Sequence, residues 1–288
     1  MGKSPRLVIA DECAAETNSL VYNIPVTMMD AYRGRNVILR SSSARELAEC
    51  FLLTDASLIR FVQLVSLDED VSPLEGAGVG IPLEVSLQDT AHYERLYRLV
   101  NLLDSHPVRI AIPVVSGFNK AVKLAISLNF AVKLELGQPD DSLLNVLESV
   151  LDSYLHHSYV RQPIEFFHTT LISFYLEQPT SLWDIAEENP AQLRYITDEN
   201  KETISPRFAG SHLNTSLANF VEEFSNKLVS EKRECHDCEF FDRCQGYFKW
   251  PNSFYSCSGI KKILGTLQDA SQEVKQDLAN YRALGARA

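Results

Sequence analysis

No run of eighteen apolar residues occurs anywhere in the 288-residue chain, which argues against a membrane-spanning helix. The opening Met1-Gly2-Lys3-Ser4-Pro5-Arg6-Leu7-Val8-Ile9-Ala10 does not lead into a long apolar stretch. It reads as a first strand and not as a signal peptide. Positive charge is in short supply, with 27 Lys and Arg against 38 Asp and Glu and a net charge of -11. Such a balance argues against nucleic acid or an anionic membrane as the main partner. Cysteine is also scarce, with six in all. Four of these crowd into Cys235-x2-Cys238-x5-Cys244-x12-Cys257. In a chain without a secretory signal, thiols gathered this closely point to a metal and not to disulfides. The expected compartment is therefore the cytoplasm, where thiols stay reduced.

What is present is enough for a sizeable core, since 45% of the residues are hydrophobic. Short β-rich runs alternate with helical ones. Leu7–Ala10, Val37–Leu39, Ile59–Val65, Leu83–Leu87, Val108–Val114 and Ala131–Leu136 read as strands. Tyr93, Leu96, Tyr97, Leu99, Val100 and Leu103 repeat at helical spacing, as do Leu143, Leu144, Leu147, Val150, Leu151 and Tyr154. Strand and helix in alternation predict a parallel sheet, either open or a partial β/α barrel. Ile164–Phe167 reads as a last strand and Ser181–Glu188 as a short helix, with a soft boundary near residue 190. The two parts are then a barrel over 1–190 and a small cysteine-rich domain over 191–288. In the second part, Asn200–Gly210 is polar and turn-rich, Leu213–Val229 reads as a helix, and a final helix runs from about Lys261 to Leu284.

Several other features have a plainer reading beside the functional one. Asp11 and Glu12 would end the first strand, at a barrel mouth or in a capping loop. Glu84 and Glu135, with Lys133, would line a barrel interior or face solvent at an open edge. His156 and His157 are adjacent on a helix and point in different directions, so they suit a helix end better than a ligand pair. Gly76-Ala77-Gly78-Val79-Gly80 precedes a strand, which is the wrong context for phosphate binding at a helix N-terminus. It reads as a connection. Tyr247, Phe248, Lys249, Trp250, Phe254 and Tyr255 would cover the cysteine site, or would present a peptide-docking surface. Cys13 and Cys50 read as buried small hydrophobes.

Around the cysteines, the order is Ile204-Ser205-Pro206, then Gly210-Ser211-His212-Leu213-Asn214, a helix opening Ser216-Leu217-Ala218-Asn219-Phe220, and Cys235-x2-Cys238-x5-Cys244-x-Gly246. Residues 196–262 in this order resemble the SPASM domain, the cluster-binding extension behind the partial β/α barrel of radical SAM peptide-modifying enzymes. The resemblance implies a degenerate radical SAM-like partial (β/α) barrel followed by a small SPASM-like domain. Radical SAM enzymes also carry C-x3-C-x2-C, and this chain has no such motif, so reductive cleavage of S-adenosylmethionine is not expected.

The resemblance further implies that one of two auxiliary clusters is lost. Arg207-Phe208 and Phe248 stand where its ligands would be, while Cys235, Cys238, Cys244 and Cys257 match the other. One [4Fe-4S] cluster is the implied cofactor, with a structural four-thiolate zinc site as the alternative. The implied role is that of a stand-alone SPASM protein of a GeoRSP-like system. It would bind precursor peptide or a radical SAM maturase, beside a PqqD-like peptide-binding protein, its cluster either fixing the C-terminal lobe or relaying one electron. The competing expectation is a β/α-barrel enzyme with a structural metal. Convergence of Asp11, Glu12, Glu84 and Glu135 in one deep pocket would favour that alternative.

Overall fold

The computed structural model describes residues 20–53, 55–178, 180–208 and 216–285. Eight strands form one sheet: β1 (Val21–Pro25), β2 (Asn36–Ser41), β3 (Ile59–Leu64), β4 (Leu83–Ser86), β5 (Val108–Pro113), β6 (Ala131–Glu135), β7 (Leu193–Ile196) and β8 (Glu202–Thr203). Their order is β6-β5-β4-β3-β2-β1-β7-β8. Every pair is parallel except β7 with β8. Parallel neighbours need a crossover between them. These are supplied by α1 (Ala44–Cys50), a 3-10 helical segment Thr90–Asp104 kinked at His92, α2 (Phe118–Ser127) and shorter turns.

Period-2 alternation divides the sheet into two faces. One face presents Ile24, Leu39, Val62, Leu64, Val85, Ile110, Ile112 and Val132 to the helices, all fully or nearly fully buried. Burying these aliphatic side chains supplies the main driving force, at about 1.5–3 kcal/mol each. On the opposite face stand Asn23, Arg40, Gln63, Glu84, Arg109 and Lys133, one polar residue from each of the first six strands. A small apolar group, Val21, Ile38, Phe61 and Leu193, shares that side.

Beyond the sheet, α3 (Asp141–His156) and α4 (Glu165–Tyr175) pack on α8 (Ser258–Gly285). Asp140 caps α3 by accepting from the Leu143 N–H at 2.9 Å. Among the described residues, three further α-helices follow: α5 (Leu182–Ile185), α6 (Phe220–Ser230) and α7 (Phe241–Cys244). No described helix is long and apolar enough to cross a membrane.

Strands expected from the sequence at Val37, Ile59, Leu83, Val108 and Ala131 are present. The strand expected at Ile164–Phe167 is not. Only Ile164 bridges the sheet, to Val132, and helix α4 begins at Glu165. Phe166, Phe167, Thr170 and Phe174 fall on one helical face and are buried there, so packing overrides the local β preference. Leu7–Ala10, Asp11, Glu12, Cys13 and Gly210–Asn214 lie outside the described residues. The boundary expected near 190 falls just before β7, which returns to the sheet beside β1.

Candidate functional site

Two sites stand out, one at the cysteines and one on the polar face of the sheet. The first is built by a tight succession of turns. Helix α6 ends at Ser230, and His236 and Phe241 donate back to the carbonyls of Arg233 and Cys238 at 2.9 and 3.0 Å. Residues Gln245 and Gly246 both take positive φ, 47° and 76°, and stop α7 directly after Cys244. At Gly246 an added Cβ would collide with Leu228 and press on Phe224, so glycine is required there. Cys257 lies immediately before α8, where its carbonyl accepts from Lys261 N–H at 2.8 Å.

All four cysteines line one small cavity of about 20 Å³, together with Glu234, Phe240, Phe241, Lys249, Ile260, Lys261 and Leu264. Burial pushes three of the thiols up, Cys235 along with Cys244, which reaches about 11, and Cys257, which reaches about 12. Mutual repulsion adds to this: Cys244 is raised further by Cys235 and Cys238, and Cys257 by Cys244 and Cys235. Opposing it, the backbone N–H groups of Gly246 and Phe248 donate to Cys244, and Lys249 draws Cys235 and Cys257 downwards. Glu234 organises the charge. It accepts from Lys249 at 2.6 Å and from the Cys257 N–H at 3.2 Å, and it lies 3.1 Å from the Lys261 ammonium.

The donor set fits a thiolate-held group. Four thiols on one cavity, with Cys235, Cys244 and Cys257 made costly to ionise by burial, faced by two ammonium groups and backbone N–H donors, suit a bound cation or cluster that favours the thiolate form. Among the described residues, no group of three or more His, Cys, Asp or Glu converges tightly enough to chelate a single ion.

The aromatic segment expected to cover the cysteines does not line their cavity, apart from Lys249. Instead Tyr247 and Trp250 pack on Trp183, Phe208, Phe220 and Phe224, and Phe254 is 76% exposed. Phe208 stacks on Trp250 at 4.7 Å and 9°. Phe208 and Phe248, the positions matched to a second cluster, are both buried in hydrophobic core. Cys50 is buried in α1, where packing and nearby Glu46 and Glu49 raise its thiol.

The second site is the polar face, which encloses a concavity of about 830 Å³ at the carboxyl ends of the strands. A second cavity of about 730 Å³ opens at their amino ends. A buried charge network separates them. Glu84, 1% exposed, meets Arg109 at 2.6 Å and Lys133 at 3.4 Å. Glu187 meets Arg109 and Lys133, each at 2.6 Å, and Glu165 meets Arg109 at 2.9 Å. The two cations hold the Glu187 carboxyl well below its usual range, and the three carboxylates hold Arg109 above its own. The bonding continues sideways, with Gln63 donating to Glu84 at 2.6 Å and Asn23 to Gln63 at 3.2 Å. Arg40 then donates to the Asn23 carbonyl at 2.9 Å.

Glu84, Lys133 and Glu135 all line one concavity, Glu84 buried, Lys133 half-buried and Glu135 exposed to solvent. His156 and His157 end α3, His156 being exposed and 3.7 Å from Asp152. The glycines at 76, 78 and 80 form a connection with positive φ throughout. Sequence reasoning missed Arg109, Glu165 and Glu187. One signal for Arg109 was available: a single polar residue recurs at the inward position of successive strands.

Fold and sites together define an α/β protein with a mostly parallel eight-strand sheet and a C-terminal helical region holding several cysteines. No family model, curated protein or solved structure matches the chain.

Proposed function

We propose that this chain is an iron–sulfur-binding accessory protein of a peptide-maturation system. It would hold one [4Fe-4S] cluster on Cys235, Cys238, Cys244 and Cys257 and work beside a radical SAM maturase or its precursor peptide. The carrying observation is that these four cysteines line a single cavity faced by Lys249 and Lys261. Support for a cluster over zinc comes from the sequence, where four cysteines follow Cys235-x2-Cys238-x5-Cys244-x12-Cys257. The consecutive order of β1 to β6, all parallel, supports a partial barrel of the radical SAM kind.

When bound, the cluster supplies one-electron chemistry. The chain's own residues set its surroundings. Lys249 and Lys261 offset negative charge, the N–H groups of Gly246 and Phe248 bond to a ligand sulfur, and Phe240, Ile260 and Leu264 limit water. Each of these moves a cluster potential. The test is anaerobic purification with iron, sulfide and zinc counted per chain, followed by binding assays with peptide and maturase. Four irons with matching sulfide are expected. Stoichiometric zinc without iron would overturn the electron-relay role.

A barrel enzyme with a structural metal is favoured by one observation, the convergence of Glu84, Glu135 and Lys133 on one concavity. Glu84 and Lys133 are committed to each other and to Arg109 and Glu187. That leaves one uncommitted carboxylate, a better binding group than an acid–base pair.

A further inference from the structure

Cys244 is followed by two residues in the left-handed region, Gln245 at φ 47° and Gly246 at φ 76°. Glycine is at home there, whereas Gln245 carries a side chain in a conformation that non-glycine residues seldom adopt. The turn serves the cysteine site directly. It ends α7 at Cys244, with the Gln245 N–H donating to the Phe241 carbonyl at 2.7 Å. It also brings the N–H groups of Gly246 and Phe248 onto the Cys244 sulfur.

Three side chains from other elements hold Gln245 in this conformation. Ser225 of α6 and the Trp183 indole of α5 donate to its main-chain carbonyl at 2.9 and 3.1 Å, taking up both lone pairs of that oxygen. Ser181, the N-cap of α5, donates to its side-chain carbonyl at 2.9 Å. All three donors are buried, and the indole is fixed by edge-on packing against Phe220, Phe224 and Tyr247. A sparsely populated backbone conformation persists where its surroundings over-determine it. Here two helices grip one carbonyl, and the residue next to it is a thiol of the site.

We propose that Gln245 is a positioning residue of the cysteine site: α5 and α6 clamp its carbonyl, and the clamp fixes the turn that presents Cys244 to a bound metal group. This rests on the reading that the four cysteines hold a metal, as cluster or as zinc. It adds that retention of the metal is set in part from α5, well before the cysteine segment in the chain.

The test is metal release from the anaerobically purified full chain into excess EDTA. Iron, sulfide and zinc are counted on the protein over time, and the thermal midpoint of the metal-free chain is measured beside them. Ser225→Ala removes one donor and sheds metal about fivefold faster or more, the loss of one neutral hydrogen bond. Ser271→Ala is the control. It removes another buried hydroxyl, one that donates to the Gln268 carbonyl at 2.6 Å further along α8. It lowers the metal-free midpoint as Ser225→Ala does, yet releases metal at the parent's rate. Glycine at position 245 accepts the left-handed backbone and keeps the clamped carbonyl. Gln245→Gly therefore holds metal better than Gln245→Val, whose branched side chain resists that conformation. The proposal fails if Ser225→Ala releases metal as slowly as the parent, if Ser271→Ala releases it as fast as Ser225→Ala, or if Gln245→Gly and Gln245→Val release it alike. A parent that holds no metal overturns the site itself, and the clamp with it. Bound metal that is indifferent to Ser225→Ala overturns the clamp alone.

Discussion

Cys244 is raised by burial and by two other cysteines, while two backbone N–H groups act in its favour. Ligand removal therefore separates the cysteines sharply. Cys238→Ala should lose nearly all bound metal, since a four-ligand site missing one ligand loses most of its affinity. Cys50→Ala should retain it in full, and metal analysis of the two purified variants checks both. Glu135 offers a test of a different kind. Its carboxyl is raised in the folded state, so the folded chain holds that proton more tightly than the unfolded one. The associated stability is complete below the ordinary glutamate value of about 4.3 and is lost as pH rises through the folded-state value. Glu135→Gln cannot ionise. It should melt above the parent at pH 7, the gap closing below about pH 4, as thermal scans across pH would show.

At the scale of elements, the charge network and the αL stop after α7 each dictate a substitution. Lys133 is 15% exposed and faces Glu84 and Glu187. Lys133→Met leaves Glu84 and Glu187 to share Arg109 and should destabilise the fold by about 1.5–3 kcal/mol, the loss of a charge-assisted hydrogen bond, read from denaturant unfolding. Gly246→Ala forces a Cβ against Leu228 at a φ of 76°. It should cost about 1–2 kcal/mol for the left-handed backbone, with overpacking added, and should weaken metal retention. Legibility in the sequence follows the same elements. Strands β2 to β6 are runs of aliphatic residues, and their pattern announces them. β1 is broken by Asn23 and β7 holds four residues with Arg194 among them, so both depend on partners far away in the chain. Helix α4 carries Phe166, Phe167, Thr169 and Thr170, which suit a strand equally well until α8 supplies the surface they pack on. The cysteine spacing disclosed which thiols would share a cavity, but the positions of Glu234, Lys249 and Lys261 around them depend on turns that spacing does not encode.

For the whole molecule, one hydrophobic core runs from Ile24 to Leu267 and takes in Cys257 beside α8. With the proposed cluster bound to its four cysteines, stripping it should loosen the segment between α6 and α8 and leave the sheet standing. Limited proteolysis of the stripped protein should cut first between Glu231 and Ser256, with the α/β circular dichroism signal retained. The strand order has a consequence in time as well as in space. β1 lies between β2, made almost at once after it, and β7, which begins at Leu193 opposite Val21. On a translating ribosome adding about 5–20 residues per second, the β1 edge that β7 covers waits on the order of ten seconds or more. Through that interval the nascent chain carries an open strand edge in the middle of its future sheet. Premature termination near residue 190 would make that exposure permanent, turning a folding intermediate into an aggregation nucleus.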